Sequence, residues 1–187
     1  MKKYFLFLFC ILSLLVFASC KEKTEDEPYD WGQWGEASAI KNGADWTAIC
    51  GTKMSDVYPG KFVITFNNFN IFNYLRGQFS FRYVPLLEGV YYPLDYPTEY
   101  NALPDSAMTV DFGTLLDDGD VAGDRYIMLY DSAVVFYIDK IDPQTQELWG
   151  KFSASLVKYI ENGYEHDPGS PDTLIFENGV YHAKIIR

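Results

Sequence analysis

In several stretches of this chain hydrophobic residues recur at every second position, a period that suits strands and not helices. In "KFVITF" Phe62, Ile64 and Phe66 share one face, and in "GQFSFRYV" Phe79, Phe81 and Tyr83 oppose Gln78, Ser80 and Arg82. "AMTVDF" sets Met108, Val110 and Phe112 against Thr109 and Asp111; "GKFSASL" sets Phe152, Ala154 and Leu156 against Lys151, Ser153 and Ser155. "DRYIMLYD" and "AVVFYID" are apolar on both faces, as central strands are. Adding "WTAIC", "GVYYPL" and "GVYHAKII" predicts about nine strands. The 15 Tyr and 14 Phe favour the same state, since aromatic side chains fit a pleated, half-buried surface.

Two segments share a frame. "LRGQFSFRYV" (75–84) and "LWGKFSASLV" (148–157) both read L-x-G-[QK]-F-S-x-x-x-V. Each follows an apolar strand, "FVITF" or "VVFYI", and each precedes a Gly-Val-Tyr, at 89–91 and 179–181. The spacing implies two related three-stranded meanders, the second with its hairpin loop lengthened by "YIENGYEHDPGSPD". The expected fold is all-β: a single antiparallel β-sandwich or flattened barrel, which limits exposed edges.

The ends of the chain read differently. Met1-Lys2-Lys3, then "YFLFLFCILSLLVF" and Ala18-Ser19, match a secretory signal over residues 1–19. At ~1.5 Å per residue its apolar run is too short to cross a ~30 Å bilayer core. Cys20 directly after Phe17-Ala18-Ser19 resembles a bacterial lipobox, in which the thiol carries diacylglycerol; Phe17 stands where Leu, Val or Ile is usual. Residues 20–37, with "KEKTEDEPYDWGQWGEA", read as an acidic flexible tether, and 38–187 as one domain large enough to bury a core. The net charge of −11 repels nucleic acid and anionic lipid surfaces, so no nucleic-acid partner is expected. With Cys10 in the signal and Cys20 lipidated, Cys50 stands alone in "DWTAIC", a small residue in a strand and without a disulfide partner.

Few residues suggest chemistry. Asp117, Asp118, Asp120 and Asp124 in "LLDDGDVAGD" could offer oxygen ligands to a hard cation, but the spacing is not that of an EF-hand. A solvated hairpin turn is the plainer reading, and no metal or other cofactor is expected. His166 lies in a Gly/Pro/Asp loop, and His182 sits on the outward face of its strand with Lys184. There is no G-x-S-x-G, H-E-x-x-H or Gly-rich phosphate loop, so the expectation is a protein that is not an enzyme. Glu161 and Glu165, or the Asp117 cluster, would have to converge for glycoside-type hydrolysis. Trp149 points away from Leu148 and Gly150, on the polar face; with Trp31 and Trp34 it could stack on sugar rings. The competing reading has Trp31 and Trp34 stapling the tether to the domain and Trp149 covering an open sheet face.

Cys20 with its acidic leader, "IKNGADWTA", the two G-x-F-S strands and the terminal "NGVYHAKII" together resemble the small all-β outer-membrane lipoproteins of Bacteroides and its relatives. The shared motifs, an N-G-x-x-W opening and a G-x-F strand beside an N-G-x-[FY] strand, are structural. The resemblance implies a surface-exposed protein anchored in the outer membrane, "KEKTEDE" being similar to a surface-export signal; Lys21 stands where inner-membrane retention uses Asp. It implies no reaction and no catalytic residues. The expected function is a non-enzymatic binding domain for a glycan or an envelope protein. A calycin-like carrier, with Tyr and Phe lining a cavity, is the alternative.

Overall fold

The computed structural model describes residues 32–94, 107–128, 134–160 and 166–186. Those residues form ten antiparallel strands and no helix: β1 (Gln33–Lys41), β2 (Ala44–Met54), β3 (Lys61–Phe69), β4 (Leu75–Pro85), β5 (Gly89–Tyr91), β6 (Thr109–Leu116), β7 (Val121–Ile127), β8 (Val135–Ile141), β9 (Glu147–Tyr159) and β10 (Thr173–Lys184). The strand missing from the count of nine is β1. Its inward side is Gly35, Ala37 and Ala39, too small to register as a hydrophobic period, so Gln33–Ala37 read as tether although they are sheet. Gly35 is required there: at φ 91° a Cβ on it would stand 2.0 Å from the His182 carbonyl oxygen.

Eight strands close a ring in the order β10-β1-β2-β3-β4-β6-β7-β9, and β9 returns to β10. The long β9 makes closure possible by dividing one edge between two neighbours. Leu148–Ser153 pair with β8, and Val157–Tyr159 pair with β7. β8 carries β5 on its far side, and beyond β5 the Leu94 N–H donates to the Met108 carbonyl at the start of β6 (2.9 Å).

Of the two expected meanders, β8-β9-β10 forms in full. Around the first frame only the β3-β4 hairpin forms, because β6 takes the place beside β4 and Gly89–Tyr91 pair with β8. β4 is also interrupted: Tyr83 sits at φ 59° where the β3-β4 register shifts, and Pro85, which has no N–H to donate, ends the strand.

Rings fill the barrel. Phe66 of β3 stacks on Phe152 of β9 at 4.9 Å, and Phe79 of β4 stacks on Phe176 of β10 at 4.6 Å. Phe136 of β8 stacks on Tyr181 of β10 at 5.1 Å. The first two pairs join strands on opposite sides of the eight-stranded ring, so opposite walls touch and the barrel is flattened. β1 and β2 face these rings with the small Ala37, Ala39, Ala48 and Cys50 and with one large side chain, Trp46 of β2, which meets Phe176 edge-on at 5.2 Å. Each buried phenyl ring contributes about 1.5–3 kcal/mol by leaving water.

Candidate functional site

The outer face of β8, β9, β10 and β1 carries a row set by register: Lys140 lies opposite Trp149, Trp149 opposite His182, and His182 opposite Glu36. The Lys140 ammonium sits 4.7 Å from the centre of the Trp149 ring, and the His182 ring stacks on Trp149 at 4.6 Å with 16° between planes. His182 Nε2 is 2.9 Å from Glu147 Oε2, and Trp34 meets the His182 ring edge-on at 4.9 Å. Lys184 approaches Trp34 at 5.8 Å.

Thus the structure unites Trp34 and Trp149 around His182, but their roles differ. Trp149 has Lys140 on one side and His182 on the other, so it is engaged as part of the sheet surface. Trp34 remains 36% exposed. Lys140, Glu147 and Glu36 were not singled out from the sequence. Glu147 shares the outward parity of Trp149, but Lys140 has the parity of the inward Phe136 and Ile138 and faces out only because the β8-β9 register shifts between Ile138 and Lys140, and Glu36 lay in the stretch that read as tether.

Beside this row the outer face of β10, β1, β2 and β3 is concave and encloses an open groove of about 560 Å³. Glu36 and His182 stand at one side, Ser38 and Thr47 across the middle, and Ile49 and Phe69 supply apolar surface. Asn67, also lining it, is buried and fixed: its Oδ1 accepts from Gln78 Nε2 (2.9 Å) and its Nδ2 donates to Thr65 Oγ1 (3.3 Å). The Asn68 amide donates to the Thr47 carbonyl (2.7 Å), tying β3 to β2 beneath the groove. The groove therefore offers hydroxyls and a carboxylate beside apolar patches on a braced floor. Behind this wall Cys50 points inward and is fully buried; burial, and secondarily the Glu36 charge, push its thiol up to about 12, so it is not a nucleophile.

The four aspartates separate. Asp124 is buried and accepts from the backbone N–H groups of His166 (3.0 Å) and Asp167 (3.3 Å) and from the Ser170 hydroxyl, with Lys158 Nζ at 3.7 Å. Burial favours its neutral form, but these donors together outweigh that and hold its carboxyl below the usual carboxylate range. It therefore anchors the loop before β10. Asp117, Asp118 and Asp120 lie exposed on the β6-β7 turn. There Asp118 and Asp120 share a hydrogen bond that lowers the former's pKa and raises the latter's. Among the described residues no three His, Cys, Asp or Glu side chains converge as metal ligands do. Cys20, Trp31, Glu161 and Glu165 lie outside the described residues.

Comparison with family models, with curated proteins and with solved structures finds no match to this chain.

Proposed function

We propose that this protein is a lipid-anchored, non-enzymatic binding domain of the bacterial outer surface, and that the groove across β10, β1, β2 and β3 takes a glycan. One observation carries the reading. Glu36, Ser38 and Thr47 set hydrogen-bonding groups beside Ile49 and Phe69 in a groove of about 560 Å³, and a sugar likewise has hydroxyls around its rim and an apolar face. Trp34, exposed at the groove's His182 side, supplies a further ring edge. The lipobox-like Cys20, the acidic leader and the family resemblance support the location.

A glycan array probed with the purified protein, its lipid removed by Cys20→Ala, tests the binding. Thr47→Trp, which fills the groove from an exposed strand position, is expected to abolish retention. Trp34→Ala is expected to weaken it by roughly tenfold, a loss of about 1.4 kcal/mol. Retention indifferent to Thr47→Trp removes the groove from the site, and no retained glycan on a folded protein sinks the glycan reading. An envelope-protein ligand is the second reading, since the same groove suits a short polar peptide. The carrier alternative is opposed by the stacked rings that join the walls of the barrel. Metabolic labelling with an alkynyl fatty acid tests the anchor: the label is expected on the wild type and lost in Cys20→Ala.

A further inference from the structure

The β3-β4 turn leaves Ile71 93% exposed and Phe72 70% exposed, two adjacent large apolar side chains held out in water. Their backbone does not supply the slack to fold them back. Asn70 Oδ1 accepts from the N–H groups of Phe72 (2.9 Å) and Tyr74 (3.0 Å), the Asn70 N–H donates to the Tyr74 carbonyl (3.0 Å), and the Asn73 N–H donates to the Asn70 carbonyl (3.0 Å). Asn73 takes the left-handed conformation, φ 63°, that closes the turn. A loop held at this many points presents its tip with little ordering entropy left to lose on binding.

The neighbouring turn supplies the charge. Gly119, between Asp118 and Asp120, packs so closely on Leu75 that a Cβ there would stand 2.9 Å from the Leu75 carbonyl oxygen. Arg76 links the two turns, lying 5.9 Å from the Tyr74 ring and favouring the charged form of Asp118. One end of the barrel therefore combines an apolar tip with Asp117, Asp118 and Asp120, on a chain whose net charge is −11. That charge opposes insertion into an anionic membrane and matches a basic surface.

We infer that the Ile71-Phe72 tip is a docking knob for a protein partner whose apolar pocket is rimmed by Lys and Arg. Phe72 fills the pocket, and the aspartate turn meets the basic rim. This surface is independent of the glycan reading, because Thr47→Trp alters the groove and leaves the tip untouched.

The test places a photo-crosslinking amino acid at position 71 of the full chain, in the cells that make it. Three comparisons accompany it: Phe72→Ser, the triple reversal Asp117→Lys/Asp118→Lys/Asp120→Lys, and Thr47→Trp. Unchanged melting temperatures establish that each variant folds. The expected result is one adduct of defined mass whose partner carries a basic-rimmed pocket at the crosslinked position. Its yield falls at least about tenfold with Phe72→Ser, as for an anchor residue at the centre of an interface, falls with the charge reversal, and holds in Thr47→Trp. No adduct, an adduct of twice the chain's mass, or one insensitive to Phe72→Ser or to charge reversal overturns the inference. So does Phe72-dependent co-sedimentation with phosphatidylcholine/phosphatidylglycerol vesicles, which would make the tip a lipid contact.

Discussion

Gly150 lies directly opposite Tyr181, and Gly179 directly opposite Phe152, so β9 and β10 exchange glycine for ring at two positions in succession. A Cβ on Gly150 would stand 1.9 Å from the Tyr137 carbonyl oxygen and 2.4 Å from the Tyr181 hydroxyl oxygen; one on Gly179 would stand 2.7 Å from the Phe152 ring. The space matters because the Tyr181 hydroxyl reaches past Gly150 to donate to the Tyr137 carbonyl (2.7 Å), fastening β10 to β8 across β9. Gly150→Ala should therefore destabilise the protein by about 3 kcal/mol, at the upper end for overpacking because backbone must move as well. Gly113 is the contrast: no heavy atom lies within 4 Å of its Cβ position, so Gly113→Ala should be neutral or stabilising by up to about 1 kcal/mol. Urea unfolding of both variants checks the pair, and similar losses in the two would remove close packing as the cause. The G-x-F frame was legible in the sequence as a repeat. Its reason was not, because the residue that needs each glycine sits on a neighbouring strand.

At the scale of elements, the alternating strands were legible wherever large apolar residues marked the inner face, as in β3, β4 and β9. β1 was not, since Gly35, Ala37 and Ala39 mark it only by being small, and the outward Trp34 and Glu36 resemble an acidic linker. The Asn-Gly step at 42–43 is plainer: both residues have positive φ, 49° and 81°, as a two-residue β1-β2 hairpin requires. Asn178-Gly179 looks the same in sequence but is a bulge inside β10, where the register with β9 shifts between Phe176 and Gly179. The loop before β10 depends on Asp124, whose folded pKa lies below the ordinary carboxylate value of about 3.9. The ionised form is thus favoured by folding. The stability it contributes is present above that ordinary value and is lost as pH falls through the lower folded pKa. Asp124→Asn should accordingly be less stable at pH 7, because the Ser170 hydroxyl and the His166 and Asp167 N–H groups lose a charged acceptor and the Lys158 ammonium loses a carboxylate 3.7 Å away. It should also lose less stability than the wild type between about pH 5 and 2. Urea midpoints across that range measure both, and parallel pH profiles for the two proteins would show that Asp124 is not the titrating anchor.

For the whole molecule, the abundance of Phe and Tyr made a β fold with an aromatic interior legible, but not whether the rings would line a cavity or fill it. That depends on how the walls are placed, and wall placement depends on β9, whose divided edge sends β7 and β8 to the same side of one strand. Nothing in a local period reports such sharing, and the pairing of Gly89–Tyr91 with β8 was hidden for the same reason. Once the ring closes, Phe66 touches Phe79, Phe81, Phe152 and Tyr181 at 4.9–6.1 Å between centroids, so a single side chain spans the space a carrier would need to keep open. Phe66→Ala removes that plug. It should cost about 3–5 kcal/mol, the sum of lost burial and the cavity left behind. A dry, ring-lined void of that kind admits small apolar molecules, so the variant should gain affinity for benzene, seen as a rise in its melting temperature with added ligand, while the wild type shows none. A wild-type protein stabilised by benzene as strongly as Phe66→Ala would mean that the barrel already holds accessible space, and it would favour the carrier alternative over the binding domain. Stabilisation confined to the variant would show that the wild-type interior is filled, as the rings stacked between opposite walls imply.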